Sequence, residues 1–204
     1  MNRRFPLASE NSLSIDDINI NDSDDQLYHQ FLRGDVSSYD QLMIRYGDSV
    51  TFYINGYTNN LRDGEDLMIE AFARIMIKKP FVQKGAFKAY LYKTARNLAL
   101  RFCEKRKGVT VFGLDELNRE LSDSILSDQG TGDGEKEAIL HMCLERIDPE
   151  LKEALWLVYC DELTYAQAAE VMHVSVKRID HLLSRGKEHM RRELRKEGIS
   201  NAYK

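Results

Sequence analysis

The helical periodicity that fills most of this chain lapses between Gly108 and Gly134 (GVTVFGLDELNRELSDSILSDQGTGDG), a stretch that ends in a run of Gly and Asp. Such a stretch reads as a mobile linker that divides the chain in two. With 204 residues, 43% of them hydrophobic and 30% charged, each side of the break is long enough for a small core. Residues 1–24 are rich in Ser, Asn and Asp with isolated aliphatics, a composition that predicts a disordered tail. The expected organisation is therefore a tail over 1–24, a first domain over 25–107, a linker over 108–134 and a second domain over 135–204.

Both domains read as all-α. From Asp25 onward Leu27, Phe31, Tyr39, Leu42, Met43 and Tyr46 recur at spacings of three and four, which places them on one helical face. A further helix begins near Asp63, with Leu67, Ala71, Phe72 and Ile75 on its apolar side, Glu65, Asp66, Glu70 and Arg74 on the other, and Pro80 closing it. Another runs from Phe87 to Arg106, where Ala89, Tyr90, Tyr92, Leu98 and Phe102 alternate with basic side chains. No β-alternation competes with these patterns.

In the second domain Asp148-Pro149 supplies a side-chain cap and a first-turn proline for a helix carrying Leu151, Ala154, Leu155, Val158 and Tyr159. Thr164 then caps a short helix (YAQAAEVM) and Ser175 a longer one (VKRIDHLLSRGKEHMRREL), with only His173 and Val174 between them. That is a helix-turn-helix arrangement. Val174, Ile179, Leu183, Gly186 and Met190 fall on its inner side, which leaves Ser175, Lys177, Arg178, His181, Ser184, Arg185 and Lys187 for a DNA major groove and its phosphates. A basic solvated hairpin without a ligand would show the same pattern.

The net charge of −4 conceals a strong polarisation. Lys84 to Lys107 holds eight basic residues against Glu104 alone, whereas Asp115 to Glu137 holds eight acids against Arg119 and Lys136. Val171 to Glu197 is basic again, with eight Lys and Arg against four acids. Two basic segments flank one acidic connector.

Several classes find no support. Cys103, Cys143 and Cys160 share no C-x-x-C spacing or Cys/His cluster, so no disulfide framework, metal site or cofactor is expected. No apolar run is long enough for a bilayer and the amino terminus lacks a secretory pattern, so the expected setting is cytoplasmic. A hydrolase using Glu65, Asp66 and Glu70 would lack a His at ligand spacing, and the chain has no G-x-x-x-x-G-K-[ST] phosphate loop.

The segment ERIDPELKEALWLVYCDELTYAQAAEVMHVSVKRIDHLLSRGKEHMRREL resembles region four of the extracytoplasmic-function (ECF) sigma factors of bacterial RNA polymerase, the part that reads the minus-thirty-five promoter element. DGEDLMIEAFARI followed by GAFKAYLYKTARNLALRFCEKRK resembles their region two. The two occur in the family's order and cover roughly Asp25 to Leu194. The resemblance implies a non-enzymatic initiation factor whose partners are core RNA polymerase, promoter DNA and an anti-sigma factor. It makes Glu65, Asp66, Leu67 and Glu70 the surface for polymerase, Gln83, Lys84, Gly85 and Ala86 the loop that receives a base flipped from the minus-ten element, and Lys93, Arg96, Asn97 and Arg101 the helix beside it. Phe81, Phe87 and Tyr90 stand near that loop, either to stack a base or as ordinary core.

Three positions depart from the family pattern. His173 stands where a turn Gly is usual, and His tolerates a left-handed backbone better than most residues. Asp180 and Leu182 replace common Lys and Arg, so minus-thirty-five specificity does not transfer from relatives. A regulator using the helix-turn-helix alone, without polymerase, remains the alternative.

Overall fold

A computed structural model describes residues 22–106, 143–144 and 146–197. The expected tail up to residue 21 and the whole of the linker lie outside them. Among the described residues every regular element is helical.

Four helices build the first domain: α1 (Asp24–Leu32), α2 (Val36–Thr58), α3 (Leu61–Lys78) and α4 (Phe87–Lys105). Their ends follow local chemistry. Ser23 and Gln26 form a reciprocal capping box on α1, so the first helix starts within the span expected to be tail. The Asp35 carboxylate accepts from the N–H of Ser37 to open α2, and the Asn60 side chain accepts from Asp63 to open α3. Asn59 and Lys79, both left-handed at φ 48° and 43°, end α2 and α3. The core is aromatic: Tyr39, Tyr53 and Tyr92 are fully buried with Phe72 and Phe87. At Gly64 a Cβ would meet the carbonyl oxygen of Thr51 at 3.1 Å, so glycine lets α3 cross close to α2.

The second domain comprises α5 (Pro149–Leu155), a π-helical turn over Trp156–Cys160, α6 (Tyr165–Met172) and α7 (Val176–Lys196). The three predicted caps are present: Asp148 accepts from Glu150, Thr164 pairs reciprocally with Gln167, and Ser175 accepts from Arg178. His173 is left-handed at φ 57° and ψ 41°, the turn conformation anticipated for it. At Gly186 a Cβ would come within 3.0 Å of Leu155, so α7 lies tight against α5.

The two domains touch. α6 packs across α4, and one cluster of buried apolar side chains runs from Leu27 in the first domain to Leu183 in the second. Burial of this kind is the principal stabilisation of a helical assembly.

Candidate polymerase and nucleic-acid interfaces

On α3, Glu65, Asp66 and Glu70 are exposed, whereas Leu67 is only 7% exposed and belongs to the core. Leu67 therefore holds the helix in place rather than meeting a partner. The same exposed face carries Ile69, Met76 and, 78% exposed, Ile77. At about 100° per residue these aliphatics interleave with the acids, giving a mixed acidic and apolar strip. Sequence periodicity missed them because they fall outside the buried stripe, which is itself the signal that could have found them.

The loop from Gln83 to Ala86 is a tight turn in which the Ala86 N–H donates to the Gln83 carbonyl at 3.0 Å and Gly85 has φ 75°. The Gly85 N–H donates to both carboxylate oxygens of Asp25 (2.9 and 2.8 Å), and the Tyr28 hydroxyl donates to the Pro80 carbonyl at 2.7 Å. Helix α1 thus holds the chain at Pro80, ahead of the loop, and at Gly85 within it, while Gln83 and Lys84 stay exposed. Of the nearby aromatics, Phe87 is core, stacked near Tyr28 and Tyr46, whereas Phe81 is 89% exposed. Tyr90 is half-buried, so the three rings differ in exposure, a distinction sequence left open.

The four α4 residues expected on one face are split between two environments. Lys93 pairs with Glu170 at 3.1 Å and Arg96 with Glu153 at 2.7 Å, both acids belonging to the second domain. Glu153 is buried and also accepts from the hydroxyls of Tyr53 and Tyr57. Burial works against the charge of Arg96, but its bonds to Glu153 outweigh that and raise its pKa further. Nearby, Tyr92 donates to Asp161 at 2.7 Å, and Lys88 donates to the Asp161 backbone carbonyl. Burial pushes the Asp161 carboxyl up to about 6, with the Tyr92 hydrogen bond and Lys88 pulling the other way. Gln167 adds a bond to the Gly85 carbonyl at 2.9 Å. Asn97 and Arg101 instead line a cavity with Arg74 and Lys78 of α3, free of any second-domain residue.

On α7, Ser175, Lys177, His181, Ser184 and Arg185 are exposed along one side. Arg178 is exposed too, and is paired with Glu150 at 2.5 Å. Lys187 sits apart, its Nζ 5.5 Å from the centre of the Tyr159 ring, whose hydroxyl raises its pKa by hydrogen bonding. Leu182 is 1% exposed and packed in the core. Its departure from the family's basic residue is thus a packing change, and of the two departures on α7 Asp180 is the one that alters the exposed surface.

Family models for sigma-70 region 2 and sigma-70 region 4 match residues 42–109 and 137–190 respectively. The chain belongs to the ECF sigma factors. This sigma factor is similar to SigE of Mycolicibacterium smegmatis, 25% identical over 168 residues that cover 82% of this chain and 65% of the relative. It is similar to SigW of Bacillus subtilis, 22% identical over 175 residues covering 81% of this chain and 94% of the relative. Its fold matches that of the sigma factor RpoE of Bartonella quintana, solved with the anti-sigma factor NepR, at a TM-score of 0.56 and 18% identity over 77% of this chain and 96% of that one.

Proposed function

We propose that this sigma factor docks on core RNA polymerase through the exposed strip of α3, captures the minus-ten element with the Gln83–Ala86 loop and α4, and reads the minus-thirty-five element with α7. The observation that carries this reading is the helix-turn-helix of α6 and α7, capped and turned as DNA-reading helices require, on the same chain as a region-two domain. It does no chemistry of its own and works in the cytosol, beside polymerase. An anti-sigma factor is its expected regulatory partner, as NepR is for RpoE.

Magnitudes explain the need for polymerase. Opening about ten base pairs at roughly 1.4 kcal/mol per stacked step costs on the order of 14 kcal/mol, whereas stacking one or two captured bases returns about 1–6 kcal/mol. The chain specifies the site and polymerase completes the opening. Because Lys93 and Arg96 cannot serve Glu170, Glu153 and DNA at once, promoter capture by those residues also requires the second domain to leave α4.

Run-off transcription with core polymerase on genomic fragments, with and without the chain, tests the proposal. Chain-dependent transcripts with fixed start points are expected. Nanomolar specific binding to duplex DNA by the free chain, without transcripts, would replace it with a stand-alone regulator.

A further inference from the structure

A groove of about 370 Å³ runs between α5 with its π-helical turn and α7. Leu155, Trp156, Met190 and Leu194 make it apolar, and Lys187 and Arg191, four residues apart on α7, flank it. No carboxylate is among the residues that line it. Of the side chains assigned to polymerase or DNA only Lys187 belongs to it, the one that the structure sets apart from the exposed side of α7. Such a groove suits a segment that brings aliphatic side chains together with negative charge.

The chain itself carries one beside it. Leu13, Ile15, Ile18 and Ile20 are interleaved with Asp16 and Asp17, and from Phe5 to Asn21 there is no Lys or Arg. This segment leads into Asp22, where the described chain begins. Arg45 fixes that point, donating to the Asp22 carbonyl at 3.0 Å and pairing with Asp24 at 2.6 Å. From there contacts run unbroken to the second domain. The Tyr46 hydroxyl donates to Asp24, Lys88 Nζ lies 5.5 Å from the centre of the Tyr46 ring, and the same Lys88 donates to the Asp161 carbonyl. Asp161 follows Cys160, which lines the groove. Leu13 stands nine residues before Asp22, a reach of roughly 30 Å at about 3.3 Å per residue.

We propose that the segment from Leu13 to Ile20 docks in this groove and straps the second domain to the first. Its aliphatic side chains fill the apolar part and its aspartates face Lys187 and Arg191. A short tether supplies an effective concentration of about 1 mM, so a segment whose free peptide has a Kd of about 0.1 mM fills its site roughly nine-tenths of the time. The occupancy stands apart from the sigma-factor reading, whereas its consequence rests on that reading: because promoter capture requires the second domain to leave α4, the strap holds the chain in its closed form.

Trp156 is the single tryptophan of the chain, so its fluorescence reports on the groove. In the full chain, deletion of residues 2–21, or Ile15→Asp with Ile18→Asp, should move its emission to longer wavelength. A synthetic peptide of residues 8–22 should reverse the shift at about 0.1 mM, which it could not do for an unfolded second domain, and Arg191→Glu should blunt the reversal. The deletion should also raise the apparent affinity for core polymerase about tenfold, since it removes the closed fraction. Emission that the deletion leaves unchanged, or reversal by a scrambled peptide equally well, would overturn the proposal. So would a shift produced instead by Leu117→Asp with Leu121→Asp, which would put the linker in the groove, or emission of the intact chain that changes on dilution, which would put a second copy there. A reversible shift without any gain in affinity for core would overturn the strap. Run-off transcription separates this from the sigma-factor reading: a reversible shift in a chain that never yields transcripts would sink that reading alone, whereas normal transcripts without the shift would sink only the docked segment.

Discussion

Arg96 on α4 and Glu153 on α5 meet at 2.7 Å across the boundary between the two domains, with the carboxylate 5% exposed. The pair does not stand alone, since Tyr53 and Tyr57 donate to the same carboxylate. A buried ion pair gains little over an apolar substitute, but removing one partner strands the other charge and costs about 3–5 kcal/mol. Glu153→Ala should therefore lower the free energy of unfolding by roughly that amount. Glu153→Gln, which can still accept from the tyrosines, should cost less. Urea titration of the full chain measures both, and equal destabilisation by Ala and Gln would mean the charge contributes nothing.

Asp161 makes the same boundary sensitive to pH. Its carboxyl titrates near 6 in the folded chain against 3.8 for an ordinary aspartate, so between those values the folded state binds more protons than the open or unfolded state. Its contribution to stability is fully present below about pH 4, declines as pH rises to about 6 and is flat above that. Asp161→Asn keeps an acceptor for Tyr92 and cannot ionise. Its stability relative to wild type should rise from pH 4.5 to pH 6.5 and then level off. A difference that is constant with pH would show that the Asp161 carboxyl ionises in the folded chain as it does in water.

The ends of the second domain's helices were legible from sequence, because a cap is local: Asp148, Thr164 and Ser175 each bond within two or three residues of themselves. The turn at His173 was legible for the same reason. What sequence could not supply was the partner of each basic side chain on α4. Glu153 lies 57 residues from Arg96 and Glu170 lies 77 from Lys93, and helical spacing says which residues share a face without saying what covers it. The burial of Leu67 was legible from its place on the apolar side of α3, and only the family resemblance set it on the polymerase surface, whereas the burial of Leu182 follows from how α7 rotates against its neighbours.

Leu182→Arg would restore the family's basic residue at a site where it has no water. Burying an unpaired charge is costly enough to unfold a domain or force it to rearrange, so this variant should lose most of its helical signal at 37 °C or unfold at much lower urea. Asp180→Lys, on the exposed side, should leave stability within about 0.5 kcal/mol of wild type. Circular dichroism on both variants decides whether the family's pattern or the packing of α7 governs these positions.

Lys177→Ala should weaken use of the minus-thirty-five element, because Lys177 lies on the first exposed turn of α7. Arg178→Ala should do the same, provided that Arg178 gives up its bond to Glu150 when DNA arrives. A residue that reads a base should cost about 1–3 kcal/mol and relax specificity at one position, whereas a phosphate-binding residue should weaken all sequences alike. Transcription from promoters with and without the upstream element measures this. Unchanged output from both would remove the residue from the interface.

The loop and the acidic strip of α3 should fail in different ways. The loop is held from behind by Asp25 and Tyr28, so Gln83 and Lys84 can be replaced by alanine without releasing the backbone that they decorate. Such a variant should still bind polymerase but open promoters slowly. The defect should be largest on fully duplex templates and mostly rescued on templates whose minus-ten region is already unpaired, because mismatches remove the unpairing cost that base capture offsets. Reversing the charge of Glu65, Asp66 and Glu70 acts earlier. These side chains are exposed on α3, and electrostatic complementarity to a basic partner governs encounter and register, so that variant should fail to pull down core enzyme and should fail on both templates. Abortive initiation on the two templates, paired with the pull-down, separates the steps. If the loop variant is equally impaired on duplex and unpaired DNA, the loop supports docking or folding, and the minus-ten pocket must lie elsewhere on the first domain.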